Sequence, residues 1–161
     1  VNYFPDEICI GLQEIPSEIS LILPLAGCGH MCEGCHSSHY QDRDNGLKLS
    51  ISTLDDLLIK YQKKVSCVCI FSGEYDTEIL SLIISFAKLR NYKVALYSGY
   101  ELSELEILLN DDILSRLNYL KTGRYIKSLG GLESKTTNQK LFKVVDNNYI
   151  NITKQFWRNN D

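Results

Sequence analysis

Val65-Ser66-Cys67-Val68-Cys69-Ile70-Phe71-Ser72-Gly73-Glu74 is the stretch on which the fold turns. Residues 65–71 form a continuous β-prone run, the composition of a buried strand, and the run ends in a tight small-residue turn. Asp76 then caps a helix whose inner face is expected to carry Ile79, Leu82, Ile83 and Phe86. Lys93–Tyr97 reads as the next strand and also ends in a small-residue turn, Ser98-Gly99. A helix rich in Leu and Glu is predicted over 101–117, and a strand over Tyr119–Thr122. Upstream, Ser52 with Asp55 forms a capping-box-like start, and Leu54, Leu57, Leu58 and Tyr61 recur at helical spacing, which predicts a helix over 53–64. Strands and helices alternating through short connections are the pattern of βαβ units, with right-handed crossovers and a parallel sheet. The fold class is therefore α/β.

The flanks complete the outline. Apolar runs at 8–13 and 18–25, separated by Ile15-Pro16-Ser17, predict a hairpin or two successive strands. Residues 123–139 hold Gly123, Gly130-Gly131 and Thr136-Thr137-Asn138-Gln139 and read as a long functional loop. The runs 141–146 and 149–152 predict a C-terminal hairpin across Asn147-Asn148. An eight-unit βα barrel takes about 250 residues. A chain of 161 residues supplies roughly half as many units, so an open, partial barrel is expected, with its site in the loops at the carboxyl ends of the strands.

Composition removes several function classes. With 44% hydrophobic and 23% charged residues the chain can bury one sizeable core. A formal charge of -3 argues against a protein that grips nucleic acid by bulk charge. No apolar run approaches the roughly 18 to 20 residues of a membrane span, since 19–27 already carries Ser20 and Pro24. Asp6 and Glu7 stand where a secretory leader would be basic. A cytoplasmic location is the expectation, and in that reducing compartment clustered cysteines mean metal or catalysis.

Three of the six cysteines fall in Cys28-Gly29-His30-Met31-Cys32-Glu33-Gly34-Cys35-His36. This spacing lets one loop wrap three thiolates round one centre, while Gly27, Gly29 and Gly34 ease its bends and free amides to donate to sulfur. The spacing alone leaves two centres open. One is a four-iron cluster on Cys28, Cys32 and Cys35 with one iron free of protein ligands. The other is a Cys3His zinc site completed by His30, His36 or His39, in a non-catalytic interaction module. Cys67 and Cys69 alternate along a buried strand and, like Cys9, are read as small apolar fillers.

The surroundings of the motif resemble the radical S-adenosylmethionine proteins and, more narrowly, the short activating proteins of anaerobic ribonucleoside-triphosphate reductases. Gly27-Cys28, His30, Cys32 and Gly34-Cys35-His36-Ser37 carry the likeness, as do 16–21, Tyr97-Ser98-Gly99, 120–126, 130–132, 136–139, Ile152-Thr153 and Phe156-Trp157. The resemblance implies one radical S-adenosylmethionine domain over 1–161, built as a truncated βα barrel of mostly parallel strands with the C-terminal hairpin appended. It implies a [4Fe-4S] cluster on Cys28, Cys32 and Cys35, with S-adenosylmethionine chelating the unique iron. One electron, expected from a flavodoxin-type donor, would cleave that cofactor to methionine and a 5′-deoxyadenosyl radical, which takes hydrogen from a glycine of the reductase large subunit. Ser72-Gly73-Glu74 resembles the family's Gly-Gly-acid contact to the methionine group, with Ser72 departing from it. Gly34, Cys35 and His36 correspond to adenine-side positions. Ser98 and Lys121, at the ends of consecutive strands, would point toward the same mouth of a parallel sheet, where they are expected to pair with the cofactor's carboxylate or ribose. A radical enzyme acting on a small molecule is the other enzymatic reading; against it, a truncated barrel leaves an open side for a protein to complete.

Charge adds one further expectation. Residues 1–118 hold 9 basic and 17 acidic side chains, whereas 119–161 hold 8 basic and 3 acidic. Lys121, Arg124, Lys127, Lys135 and Lys140 are therefore expected to form the face that docks the reductase's glycyl-radical region.

Overall fold

The computed structural model describes residues 1–35 and 37–160, with side chains through Trp157. In chain order the elements are β1 (Asn2–Tyr3), β2 (Cys9–Gly11), β3 (Ser20–Pro24), β4 (Leu47–Lys48), α1 (Ile51–Tyr61), β5 (Cys67–Phe71) and α2 (Thr77–Leu89). They continue with β6 (Lys93–Tyr97), α3 (Leu102–Leu108), α4 (Asp111–Arg116), β7 (Tyr119–Thr122), β8 (Lys140–Val145) and β9 (Asn148–Asn151), and a 3-10 stretch Thr153–Asn160 follows. One sheet runs β2-β3-β5-β6-β7-β8-β9, and β1 pairs separately with β4. Its centre, β3-β5-β6-β7, is parallel, as the βαβ pattern predicts. Antiparallel strands flank it: β2 on one side, β8 and β9 on the other. The sheet is open, with β2 and β9 at its edges.

Alternation along the central strands sorts the core into two layers. Leu21, Leu23, Val68, Ile70, Val94, Leu96 and Leu120 face one way, onto Leu54 and Leu58 of α1, Leu80, Ile83 and Ile84 of α2, Leu105 of α3 and Ile113 and Leu114 of α4. Each such side chain contributes about 1.5–3 kcal/mol on burial. Ile22, Cys67, Cys69, Ala95, Tyr119 and Leu141 face the other way, under Ile15, Leu132, Ile152 and Phe156. The four helices thus share one face, and non-helical segments cover the second.

A buried carboxylate ties the amino ends of the parallel strands together. Glu18 accepts hydrogen bonds from Ser66 Oγ (2.5 Å), Lys93 Nζ (2.5 Å) and the Tyr119 hydroxyl (3.1 Å), so one side chain joins the entries to β3, β5, β6 and β7.

Several local expectations are corrected. Helix α1 starts at Ile51, not 53, because Ser50 rather than Ser52 is the cap, its Oγ accepting from the Thr53 amide at 3.1 Å. The cap of α2 is Asp76 as expected, accepting from the Ile79 amide, but the buried stripe is Leu80, Ile83, Ile84 and Ala87. With eight apolar residues among thirteen, both stripes satisfy the 3.6 period, and packing chooses between them. The single helix over 101–117 is two: Leu109 is extended and Asn110 caps α4, accepting from the Ile113 amide at 2.9 Å, with Asp111 and Asp112 in the first turn. The C-terminal hairpin turns at Asp146-Asn147, both at positive φ, rather than at Asn147-Asn148. Cys67 and Cys69 are buried as expected, whereas Cys9 is exposed on the edge strand β2 and fills no core.

Candidate metal centre

The registers Pro24↔Phe71, Phe71↔Tyr97 and Tyr97↔Lys121 bring the carboxyl ends of the four parallel strands level. Four loops consequently open at one edge of the sheet. They hold the three clustered cysteines, Ser72-Gly73-Glu74, Ser98-Gly99 and the start of 123–139. Between them lies a cavity of about 610 Å3, lined by Cys28, Cys32, Cys35, Ser72, Ser98 and Lys121. The stacked rings of Phe71 and Tyr97, 5.0 Å apart, also line it.

The cysteine loop is anchored at its entry from two sides. Gly27 and Cys28 donate their amides to the Tyr40 carbonyl, and the Tyr75 hydroxyl donates to the Ala26 carbonyl at 2.6 Å. Gly27 has φ +100, and a Cβ there would stand 2.5 Å from the Tyr75 ring, so this entry accepts glycine alone. The His30 ring packs on Tyr100, 4.4 Å between centroids, and fills the space above Gly99, where a Cβ would come within 2.4 Å of it. Two sulfurs receive backbone hydrogen bonds: the Ser37 amide donates to Cys35 Sγ at 3.4 Å, and the backbone of His30 bonds Cys28.

Electrostatics in the cavity follow from burial. Burial pushes the Cys28 thiol up, the His30 backbone bond pulls it back, and Glu74 and the neighbouring thiols raise it further. The same burial lowers the Lys121 ammonium to about 8, against the pull of the three cysteines and Glu74. Lys121 Nζ donates to the carbonyls of Gly123 (2.7 Å) and Ser98 (3.2 Å), which hold it against the cysteines. Glu74 is raised by burial, with the Ser98 hydroxyl and Lys121 drawing it down.

Three soft donors facing one cavity, two of them taking backbone hydrogen bonds, beside a buried cation that favours thiolates, form a donor set suited to iron and sulfide. Among the described residues no three His, Cys, Asp or Glu side chains converge closely enough to hold a single metal ion, so the thiols share the cavity without meeting at one point.

Not every expected residue reaches the cavity. Gly73, at φ +102, packs toward Leu25 and Leu80 on the helical side, and Glu74 stands behind the wall that Ser98 and Lys121 form. A Cβ on Gly34 would face Tyr125 and Lys127, so this glycine lies against the 123–139 loop. His36 lies outside the described residues. Of the other histidines, His39 is held by Glu7 at 2.6 Å on the surface, whereas His30 lines the cavity with its Nε2 buried and without a partner among the described residues. Ser72 sits at φ +73 with its Oγ also buried and unpartnered, and its amide donates to the Tyr97 carbonyl.

Sequence reasoning missed Phe71 and gave Gln139 no role. Phe71 was visible as the last member of the alternation Cys67, Cys69, Phe71 on one strand face. Gln139 donates to the Gly123 carbonyl (3.2 Å) that also receives Lys121, a contact between distant segments that no spacing encodes. The basic set is divided: Lys121 is buried in the cavity, Arg124 and Lys127 are exposed beside the cysteine loop, and Lys140 opens β8. A second cavity of about 710 Å3 adjoins the first and shares His30, Cys32, Arg124 and Tyr125 with it.

The chain is similar to an anaerobic ribonucleoside-triphosphate reductase-activating protein of Enterobacteria phage T4, 24% identical over 148 residues that cover 88% of this chain and 85% of that protein. No solved structure matches it. Among the described residues no helix is long and apolar enough to cross a membrane. The family model for the 4Fe-4S single cluster domain matches residues 19–147, which take in all three clustered cysteines and the four parallel strands. The chain belongs to the 4Fe-4S single cluster domain family.

Proposed function

We propose that this protein is a radical S-adenosylmethionine activase that installs a glycyl radical on an anaerobic ribonucleoside-triphosphate reductase. The observation that carries the reading is the convergence of Cys28, Cys32 and Cys35 on one cavity with Ser72, Ser98 and Lys121, at the carboxyl edge of a parallel sheet. The family match and the phage relative's name support it. In this reading the open sheet is a truncated barrel and 1–161 one catalytic domain.

Cys28, Cys32 and Cys35 would hold a [4Fe-4S] cluster, which together with S-adenosylmethionine would supply one-electron reductive cleavage and hydrogen abstraction. The buried ammonium of Lys121 and the hydroxyl of Ser98 orient the cofactor's carboxylate or ribose. Ser72 would meet its methionine end with its backbone, and Gly73 and Glu74 would support that contact from behind, Gly73 through the turn and Glu74 through Ser98 and Lys121. Cys35 would border the adenine, a position that the resemblance also gives to Gly34 and His36. Phe71, Tyr97, Leu132 and Phe156 exclude water from the reacting region.

Anaerobic reconstitution with iron and sulfide tests the reading. The expected protein is brown, yields 5′-deoxyadenosine and methionine with S-adenosylmethionine and dithionite, and gives a glycyl signal on the reductase by electron paramagnetic resonance. The unpartnered Nε2 of His30 in the same cavity favours one competing reading, a zinc site of Cys28, Cys32, Cys35 and His30. A colourless protein holding one zinc ion would establish that reading instead. A cleaving protein that leaves no signal on the reductase would point to a small-molecule substrate.

A further inference from the structure

The turn after β6 carries a glycine that its backbone does not require. Gly99 lies outside the left-handed region, so its conformation is open to other residues. What bars a side chain there is His30: a Cβ at 99 would stand 2.4 Å from the ring Cδ2, 2.8 Å from Nε2 and 2.9 Å from Cγ. The ring has little room to swing clear, because it meets the Tyr100 ring edge to face at 4.4 Å between centroids and its Nε2 is already out of solvent. His30 stands midway between Cys28 and Cys32 in the sequence, and its backbone bonds Cys28. One imidazole therefore keys the cysteine loop into a notch of the 98–100 turn.

That turn also sets the opposite wall of the cavity. The Ser98 hydroxyl accepts from the Tyr100 amide at 3.1 Å and bonds Glu74, and the Ser98 carbonyl accepts from Lys121 Nζ at 3.2 Å. A displaced ring displaces Gly99 and Tyr100, and through them Ser98 and Lys121. Where reacting groups must meet, a misplacement of about 1 Å can cost about a hundredfold. We infer that His30 is a positioning residue: its ring, seated in the Gly99 notch, fixes the cluster thiols against the Ser98–Lys121 wall, so that centre and cofactor meet at one separation. The inference rests on the activase reading. It makes the shape of the ring the working feature, whereas a zinc site would need the nitrogen.

Equilibrium dialysis of S-adenosylmethionine against iron-loaded, oxidised protein reads affinity without turnover. Electron paramagnetic resonance of the reduced centre at saturating cofactor reads how the two meet. Iron content is measured first, so that every comparison uses equally loaded protein, and His30→Leu replaces His30→Ala should the latter fail to load. His30→Ala removes the key and Gly99→Ala fills the notch; each is expected to bind the cofactor about tenfold more weakly and to shrink the spectral change that the cofactor produces in the wild type. Because both act through one contact, the double variant is expected to lose about the same tenfold, not the roughly hundredfold loss of two independent sites. His30→Phe keeps a ring in the notch and is expected to restore affinity to within about twofold of wild type, with the spectral change intact. Variants that unfold more easily yet show the full spectral change at saturation would make the contact a support of the fold alone and overturn the inference. Additive losses in the double variant overturn it too, assigning Gly99 to direct approach by the cofactor. Either result leaves the activase reading standing. A His30→Phe protein that no longer holds metal would make the ring a ligand, overturning the inference in favour of the zinc centre. A wild type that loads iron but binds no S-adenosylmethionine would sink the activase reading itself, and this inference with it.

Discussion

Ser72 shows how one residue can serve the site at the expense of the fold. It follows β5, where the chain must turn back toward α2, and it takes φ +73 although it carries a Cβ. An L-residue in that region costs about 1–2 kcal/mol, and its buried hydroxyl finds no partner among the described residues. Glycine removes both penalties and gives part of the gain back through greater freedom of the unfolded chain. Ser72→Gly should therefore stabilise the protein by up to about 1 kcal/mol, read as a higher midpoint of urea unfolding with an unchanged slope. A lower midpoint would mean that the hydroxyl has a stabilising role in the cavity. The sequence marked this position because of its departure from the expected glycine, but it could not state the backbone angle that gives the departure its energetic meaning.

At the scale of elements, legibility followed how locally each element is determined. Strands β6 and β7 were readable to the residue, because their apolar runs are bounded by turn signals and each is buried on both faces. The break between α3 and α4 was readable in principle, since Asn110-Asp111-Asp112 is a cap followed by an acidic first turn, but a continuing Leu and Ile pattern masked it. The β1–β4 pair was not readable, for two-residue strands carry no periodicity and are fixed by the chain around them. The cysteine motif was legible by spacing, whereas the roles of His30, Phe71 and Gln139 arise from contacts between segments far apart in the chain. The Glu18 clamp is of the same kind. Burial pushes its carboxyl up, yet the hydrogen bonds from Lys93, Ser66 and Tyr119 and the Lys93 charge hold it below its ordinary 4.5. A folded value depressed in this way contributes stability that is complete above 4.5 and is lost as pH falls through the folded value. Glu18→Gln should cost about 1–2 kcal/mol at pH 7, allowing for the 53% exposure of the Lys93 side chain. The gap between wild type and variant should close in acid below that range, as followed by urea unfolding across a pH series. A gap independent of pH would assign the loss to packing.

The whole molecule is asymmetric across its sheet. Helices seal one face, and the other, which holds the cavity, is covered by Leu132 of the 123–139 loop and by Phe156 of the terminal 3-10 stretch. These two covers are joined, because the Trp157 indole donates to the Leu132 carbonyl at 2.9 Å. The loop they stabilise also carries Gly123, which receives Lys121, and it reaches Gly34 through Tyr125 and Lys127. Seating of the 153–160 stretch should therefore control access to the cysteines. Trp157→Phe keeps the ring and removes the hydrogen bond, a loss of about 1 kcal/mol in a segment with few other ties. Amide exchange should accelerate across 124–139, and Cys28 in the metal-free protein should react faster with a thiol reagent. The strand ends around Glu18, at the opposite edge of the sheet, should exchange at wild-type rates. Faster exchange at both edges would show global destabilisation, and unchanged exchange in 124–139 would show that the loop holds its place without the terminus. The selective outcome makes the Thr153–Asn160 stretch a cover over the inner face, so that anything entering from solvent meets a barrier whose strength is set by the seating of Trp157.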